Sequence, residues 1–177
     1  MICLICLSAS AQNESGLQLG FGYGAYRQDA NMGTNISFSA DYRLNKQYTI
    51  GQMSQFGFMH TTIETFTANY VNQHISVLGK RTIMDKKRFS MFASTGIGYT
   101  NYHIVQLKHT APLDDSDVHG AYLNTYSMMQ LSFPVVLDVS FKASKTIALG
   151  ARMGGYITTQ SGLFNYAFLN PVVKVNL

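Results

Sequence analysis

Apolar and small polar residues alternate along eight stretches of this chain, and the alternation limits the possible folds more than any other feature. The clearest stretch places one apolar set on a single face: Leu131, Phe133, Val135, Leu137, Val139 and Phe141. The other face carries Ser132, Pro134, Val136, Asp138 and Ser140. Since successive side chains of a strand point to opposite sides, a period of two predicts a strand whose faces meet different environments.

The low charge of the chain narrows the class of protein. Only 12% of the 177 residues are charged, about half of the roughly 25% that is typical of soluble domains. No window approaches the roughly 18–20 consecutive apolar residues of a membrane helix. A transmembrane β-barrel has such a sequence, because every second residue of each strand faces the lumen and weakens the apolar signal.

The eight predicted strands cover residues 17–27, 34–44, 48–60, 67–83, 88–104, 131–141, 146–159 and 165–177. Short turns near Asn45, Lys86 and Ser144 alternate with longer connections, as in up-and-down hairpins. The register of the third and fourth strands is the least defined. We predict an all-β fold, an eight-stranded antiparallel up-and-down transmembrane β-barrel that forms a single domain over residues 12–177.

The N-terminal segment, residues 1–11, is predicted to be a secretory signal peptide. It is apolar from Met1 to Leu7 and ends in the cleavage pattern Ala9-Ser10-Ala11. A basic start is absent, so we expect this peptide to be truncated; the alternative is a short buried strand. Both cysteines, Cys3 and Cys6, fall in this segment, so the mature chain would hold no disulfide and no cysteine metal site.

The polar faces indicate which side of the strands meets lipid. A soluble barrel of the lipocalin type would need charged residues on its water face, at about 25–35% of a soluble surface. Here the polar faces carry mostly Ser, Gly, Thr, Asn and Gln. Such small groups suit the lumen of an eight-stranded barrel, which has room only for side chains. We therefore expect the apolar faces to meet lipid, and a soluble barrel that binds a small apolar ligand remains the alternative.

Several segments resemble a known family. They are the cleavage site at residues 9–11, the strand Gly20-Phe-Gly-Tyr-Gly24, the segment Phe92-Ala-Ser-Thr-Gly-Ile-Gly-Tyr99, and the end Pro171-Val-Val-Lys-Val-Asn-Leu177. Together they are similar to the small outer-membrane β-barrels that include the OmpA transmembrane domain, OmpX and PorT-like proteins. The resemblance implies an outer-membrane location, contact with membrane lipid, and recognition of the C-terminal strand by the barrel-assembly machinery. Such barrels often end in Phe, whereas this chain ends in Leu177.

Five charged residues project from the polar faces of their strands: Asp41, Arg43, Asp138, Arg152 and Lys174. Buried charges need partners, and the sixth and seventh strands are hairpin neighbours, so Asp138 and Arg152 could meet diagonally. We predict a network of salt bridges in the lumen. It would either neutralise the interior or belong to a gated pore.

The longest connection, predicted at residues 106–122, carries Asp114, Asp115 and Asp117 together with His109 and His119. Clustered carboxylates could contact a cation or a basic partner. The run Asp114-Asp-Ser-Asp117 lacks the glycine and distal glutamate of an EF-hand, so we predict no metal site and no cofactor. A solvated loop and an extracellular protein contact both remain open.

Two other activities are weighed against an interaction role. The triplet His74-Ile75-Ser76 resembles the His-x-Ser of outer-membrane lipid A deacylases, but no acidic residue that could orient the histidine lies near it in the sequence. The net charge of +4 comes from basic turns that form no continuous groove with stacking aromatics, which argues against nucleic-acid binding. We predict a non-enzymatic protein that acts through its extracellular loops, with a lipid-modifying enzyme as the alternative.

Overall fold

The computed structural model describes residues 15–26, 32–63, 66–109, 121–159 and 164–176. They form eight strands: β1 (Ser15–Tyr26), β2 (Met32–Arg43), β3 (Tyr48–Ile63), β4 (Phe66–Asp85), β5 (Phe89–His109), β6 (Ala121–Lys142), β7 (Ile147–Thr158) and β8 (Phe164–Asn176). Each strand pairs antiparallel with the next, and β8 pairs with β1 to close the barrel. The predicted fold is confirmed. No helix in this part of the chain is long and apolar enough to cross a membrane.

β1 and β8 pair at the seam that closes the barrel, and their register puts the apolar residues of both strands on the outer face. Leu17 faces Val175, Leu19 faces Val173, and Tyr23 faces Leu169. A slip of one residue would turn the apolar side chains of β8 into the lumen, because the side-chain period is two. Closure leaves no unpaired backbone edge around the barrel.

The two faces of the barrel differ as the sequence predicts. The outer face exposes large apolar side chains on every strand, among them Leu19, Phe38, Val77, Ile97 and Leu149. The inner face buries small polar groups such as Asn35, Ser37 and Ser132. It also holds Met53, Leu78, Val136 and Val172, so apolar residues fill part of the lumen.

Tight turns lie at one end of the barrel and use side-chain oxygens to hold the chain. In the turn before β3, Asn45 Oδ1 accepts hydrogen bonds from the backbone N–H of Gln47 at 2.8 Å and of Tyr48 at 2.9 Å. Ser144 Oγ does the same in the turn before β7, where it accepts from Thr146 at 3.2 Å and Ile147 at 3.0 Å. These local bonds stabilise the turns without a following glycine.

The strands are unequal in length at the opposite end. β4, β5 and β6 have 20, 21 and 22 residues, whereas β1, β2 and β7 have 12 each. β5 and β6 pair as far as His109 and Ala121, whereas the pairing of β6 with β7 begins at Ser132 within the described part of the chain. We call residues 60–63, 66–72, 101–109 and 121–130 the projecting sheet.

The projecting sheet corrects the predicted loop at residues 106–122. Both ends of that range continue the β5–β6 hairpin, because each strand satisfies the backbone hydrogen bonds of the other beyond the closed barrel. Asp114, Asp115 and Asp117 lie outside the described residues, and so does the predicted signal peptide at residues 1–11.

A proline at the seam should prevent closure. Val173 lies between Leu19 of β1 and Leu149 of β7, so Val173→Pro removes an N–H from one of the two ladders. We expect the purified protein to lose most of its compact, faster-migrating form when run unboiled on a denaturing gel. The control, Val173→Ile, should keep both the unboiled and the boiled positions. Unchanged migration of Val173→Pro would contradict the register of the seam.

Candidate functional site

An arginine and an aspartate form an ion pair with two hydrogen bonds in the lumen. Arg152 on β7 and Asp138 on β6 are direct register partners, so they meet face to face and not diagonally. Arg152 Nε donates to Asp138 Oδ1 at 2.6 Å, and Arg152 Nη2 donates to Asp138 Oδ2 at 3.1 Å. The Arg152 side chain is 0% exposed. This two-bond geometry is the most favourable one for a guanidinium and a carboxylate.

Lys80 links this pair to a second carboxylate. Its Nζ lies 2.7 Å from Asp41 Oδ1 and 3.4 Å from Asp138 Oδ2, and the side chain is 2% exposed. Lys80 is not among the five charged residues predicted for this network. Alternate residues of a strand share a face, so Lys80 lies on the same face of β4 as His74 and Ser76. The register of β4 would therefore have been enough to place Lys80 in the lumen.

The two remaining predicted members lie closer to the turn end. Lys174 Nζ is 4.0 Å from Asp41 Oδ2 and 5.4 Å from the centre of the Phe92 ring. Arg43 instead pairs with Asp85, at 3.3 Å from Nη2 to Oδ2, and is 26% exposed. The reason is position: Arg43 is the last residue of β2, so its side chain reaches the rim. The structure thus brings Asp41, Asp138, Arg152 and Lys174 together around Lys80.

Two uncharged groups add further hydrogen bonds to Arg152, although its Nη1 has no partner among the described residues. Its Nη2 also donates to Gln18 Oε1 at 2.7 Å and to Ser39 Oγ at 3.0 Å, across the barrel on β1 and β2. Gly51 leaves the space in which Lys80 and Asp41 meet, since a Cβ at this position would lie 2.6 Å from Asp41 Oδ1 and 2.9 Å from Lys80 Cε. We call Asp41, Lys80, Asp138, Arg152 and Lys174 the charge layer.

Aromatic rings form a second layer of the lumen, on the side away from the tight turns. The His74 and Tyr156 rings stack with their centres 3.7 Å apart, and Tyr166 and Phe168 lie 5.5 and 5.6 Å from Tyr156. Tyr156 donates from its hydroxyl to Gln55 Oε1. We call His74, Tyr156, Tyr166 and Phe168 the aromatic layer. The glycine at position 24 leaves space for it, because a Cβ there would collide with the Tyr166 ring.

The position of His74 argues against the deacylase alternative. His74 Nδ1 lies 2.8 Å from Thr100 Oγ1 and 3.3 Å from Ser132 Oγ, with the side chain fully buried. Ser76 is also buried on the inner face. A group that attacks a membrane lipid must be reachable from the outer surface, and this pair faces the lumen. The described residues contain no group of three or more His, Cys, Asp or Glu that could hold a metal ion.

The polarity of the outer face changes at one level of β4, β5 and β6. The paired rows Val77–Ile97–Phe133 and Ile75–Tyr99–Leu131 are apolar. Every outer-face row above them contains polar groups: Gln73 and Asn101, then His103 and Ser127, then Asn69 and Thr125. Some of these groups pair with each other, since Ser127 Oγ donates to Asn101 Oδ1 at 3.3 Å and His60 Nδ1 lies 2.7 Å from Asn69 Oδ1.

The inner face is mixed above the same level. The row His74–Thr100–Gln130 is polar, and the rows above it set Asn72 beside Tyr102 and Met128, then Tyr70 beside Ile104 and Tyr126. The closed barrel is mainly apolar outside and mainly polar inside, whereas both faces of the projecting sheet mix polar and apolar side chains.

Comparison with known proteins relates the chain to solved structures only through its fold. No protein-family model matches the sequence, and no curated protein is similar enough in sequence to count as a relative.

Three solved structures share the barrel. A major outer membrane protein of Thermus thermophilus has a TM-score of 0.64 at 10% identity, over 94% of this chain and 100% of that one. Neisserial surface protein A has 0.62 at 11%, over 94% and 98%. The N-terminal β-barrel domain of Pseudomonas aeruginosa OprF has 0.53 at 14%, over 92% and 97%. The chain therefore has the fold of small outer-membrane barrels.

Loss of Arg152 should destabilise the barrel strongly. In Arg152→Met, Asp138 keeps a buried charge with only Lys80 at 3.4 Å, and breaking a buried pair costs about 3–5 kcal/mol. We expect the variant to unfold at a clearly lower urea concentration, measured as the loss of the compact form on unboiled gels. The double variant Asp138→Asn/Arg152→Met should recover part of that loss.

The matched control is Arg88→Met in an exposed turn, where a surface substitution should change the free energy of unfolding by no more than about 0.5 kcal/mol. An Arg152→Met protein that unfolds at the same urea concentration as the control would show that the charge layer contributes nothing to stability.

Proposed function

We propose that this protein is an outer-membrane barrel with a closed lumen, which holds the projecting sheet outside the membrane for contact with a partner. The observation that carries the proposal is the change in polarity between the rows at Tyr99 and Asn101. A water-soluble barrel has no reason to change its outer face from apolar to mixed at the level where the closed part ends. A lipid boundary at that level supplies one.

The dimensions of the closed part suit a membrane. β7 has 12 residues, which span about 40 Å along the strand at roughly 3.3 Å per residue. At the tilt of about 40° that is usual in such barrels, the height is about 30 Å, close to the hydrocarbon thickness of a bilayer. In hydrocarbon, closure satisfies every backbone group that an open edge would leave unpaired.

The connections orient the barrel. Transmembrane barrels have short periplasmic turns and longer extracellular connections, so the turns around Asn45 and Ser144 would face the periplasm and the projecting sheet would face outward. Export through a signal peptide at residues 1–11 and insertion by the assembly machinery at the C-terminal strand are part of the proposal.

A closed lumen favours an anchor over a pore. The charge layer and the aromatic layer cross the interior at two levels, and a conducting path would require both to open. The same side chains occupy the space in which a lipocalin-type barrel holds a ligand. The projecting sheet is then the part of the described structure that is available to a partner.

Cysteine labelling tests the location and the orientation. In full-length chains with Cys3 and Cys6 replaced by alanine, Ser127→Cys places a thiol on the outer face of the projecting sheet, and Ser144→Cys places one in a tight turn. We expect a membrane-impermeant maleimide to label Ser127→Cys on intact cells and Ser144→Cys only after the outer membrane is permeabilised. The reverse pattern would contradict the orientation, and equal labelling in a soluble fraction would contradict the membrane location.

Conductance tests the closed lumen. In planar bilayers we expect the purified barrel to give no regular current steps under conditions in which a general porin, as the positive control, does so. Regular steps from the purified barrel that Arg152→Ala alters would favour the gated pore instead.

A further inference from the structure

One arginine lies on the outer surface of the barrel, among side chains that would face lipid. Arg81 of β4 is exposed and pairs with Tyr48 of β3 and Ala93 of β5. The neighbouring Lys80 is buried in the lumen, so the alternation of the strand turns Arg81 outward. Within the described strands, Arg81 is the only charged residue on the outer face of the closed barrel.

The position of Arg81 suits a charge beside lipid headgroups. Tyr48 is the first residue of β3, so Arg81 lies near the end of the barrel that carries the tight turns. An arginine on the outer face of a barrel costs about 2–4 kcal/mol at the midplane of a bilayer but only about 0–1 kcal/mol near the interface. Its long side chain can hold the guanidinium among the headgroups while its methylene groups contact hydrocarbon.

The described carboxylates leave Arg81 without a counter-ion. Asp41 and Asp138 belong to the charge layer inside the lumen. Asp85 pairs with two basic side chains at the inner rim. Further positive charges lie in the two adjacent turns, at Lys46, Lys86, Lys87 and Arg88. This end of the outer surface therefore has an excess of positive charge, which an anion from outside the protein would offset.

A glycine interrupts the apolar surface next to Arg81 on the same strand and face. Gly79 pairs with Ile50 of β3 and Thr95 of β5. Since neighbouring strands are roughly 4.8 Å apart, the backbones that carry Ile50 and Thr95 are separated by about 10 Å, with no side chain between them. We call Ile50, Gly79, Ala93 and Thr95 the outer groove. It is continuous with Arg81, because Ala93 is the register partner of Arg81.

Packing does not require the glycine at position 79. A Cβ there would meet only the Thr95 backbone oxygen among the described residues, at 3.8 Å. By contrast, a Cβ at Gly96 would collide with the backbone oxygen of Val77, and one at Gly150 with that of Val139. Strands favour β-branched residues over glycine, so an empty position on an open surface indicates that something outside the protein uses the space.

The outer groove and Arg81 together match an amphiphile with an anionic head and an apolar tail. An acidic peptide would leave the groove empty. A second copy docked on this surface about a two-fold axis would bring the same basic groups together, and none of the described carboxylates lies on the outer face to pair with them. A phospholipid meets both requirements, because its phosphate lies in the interface and its acyl chains extend along the strands.

We propose that Arg81 and the outer groove bind one anionic phospholipid of the adjoining leaflet, which is the periplasmic leaflet in the proposed orientation. The guanidinium donates to two phosphate oxygens, in the geometry that arginine favours with such groups. The Tyr48 hydroxyl is a further donor beside it, and one acyl chain lies over Gly79. The inference rests on the proposed function, because the groove meets lipid only if the barrel spans a membrane.

Native mass spectrometry tests the lipid preference. The full-length protein would be released from detergent micelles that contain phosphatidylglycerol and phosphatidylcholine with the same acyl chains at equal concentration. We expect one phosphatidylglycerol to be retained, in at least fivefold excess over phosphatidylcholine, because the basic turns favour a headgroup with net negative charge. Equal retention of the two lipids would overturn the proposal.

A pair of charge variants tests the role of Arg81. Arg81→Met removes the phosphate donor but keeps a long apolar side chain, and we expect at least fivefold lower retention of phosphatidylglycerol. The matched control, Lys145→Met, removes one positive charge from the exposed turn between β6 and β7 and should retain the lipid as the parent does. Equal losses in the two variants would show attraction to the net charge in place of a defined site, and an unaffected Arg81→Met would also overturn the proposal.

Filling the outer groove tests the acyl-chain contact without a change in charge. Gly79→Val has room for its Cβ, so we expect it to keep the compact form on unboiled gels and to retain at least fivefold less lipid. The matched control, Ala151→Val, enlarges a small outer-face residue of β7 between Val139 and Pro171 and should retain the lipid. If Gly79→Val lost the compact form, Thr95→Phe would narrow the same groove from its wall. Full retention by a compact variant of either kind would overturn the groove.

Two further outcomes separate the lipid from a simple anion and from the proposed function. Glycerophosphate carries the phosphate without acyl chains, and it should not displace the lipid at tenfold excess; displacement would contradict the acyl-chain contact. A membrane-inserted barrel that retains both lipids equally keeps its proposed location and loses the lipid site. A protein that stays in the soluble fraction of cells, but retains phosphatidylglycerol in micelles, would contradict the proposed function and keep the site.

Discussion

Backbone hydrogen bonding is the constraint on which this architecture depends. A sheet in hydrocarbon cannot leave its outer N–H and C=O groups unpaired, and the pairing of β1 with β8 meets that requirement in the closed barrel. Once the sheet is closed, each strand has an inside and an outside, and the period of two becomes obligatory. The narrow lumen of eight strands then limits the inner side chains to those that fill it. The small polar residues and glycines of the inner face follow from that limit.

The charge layer shows how such an interior accommodates ions. Each charge taken from water loses several kcal/mol of solvation, and only close partners offset that loss. Arg152, Lys80 and Lys174 therefore share two carboxylates, Asp138 and Asp41, and Arg152 donates further bonds to Gln18 and Ser39. The aromatic layer fills the other level with rings. The two layers together place side chains across the interior at two levels.

Most of the fold was predictable from the sequence, because the alternation determines both the number of strands and their faces. The inner positions of Asp41, Asp138, Arg152 and Lys174 followed from the same period. Lys80 did not, since Met53 and Leu78 point inward and hide the polarity of the third and fourth strands. The part of the projecting sheet within residues 106–122 was predicted as a loop, because above Tyr99 both faces mix polar and apolar residues and the alternation no longer identifies an inner face. Pairing between strands, which no single segment encodes, settles both points.

The charge layer also has a consequence for the order in which the barrel assembles. Asp138 and Arg152 belong to one hairpin and can neutralise each other as soon as β6 and β7 pair. Lys80 of β4 and Asp41 of β2 meet over Gly51 of the strand between them, so this pair also lies within one part of the sheet. The bonds from Arg152 on β7 to Gln18 on β1 and Ser39 on β2 cross the seam between β8 and β1. They can form only after that seam has paired, so Arg152 gains its uncharged partners at the step that closes the barrel.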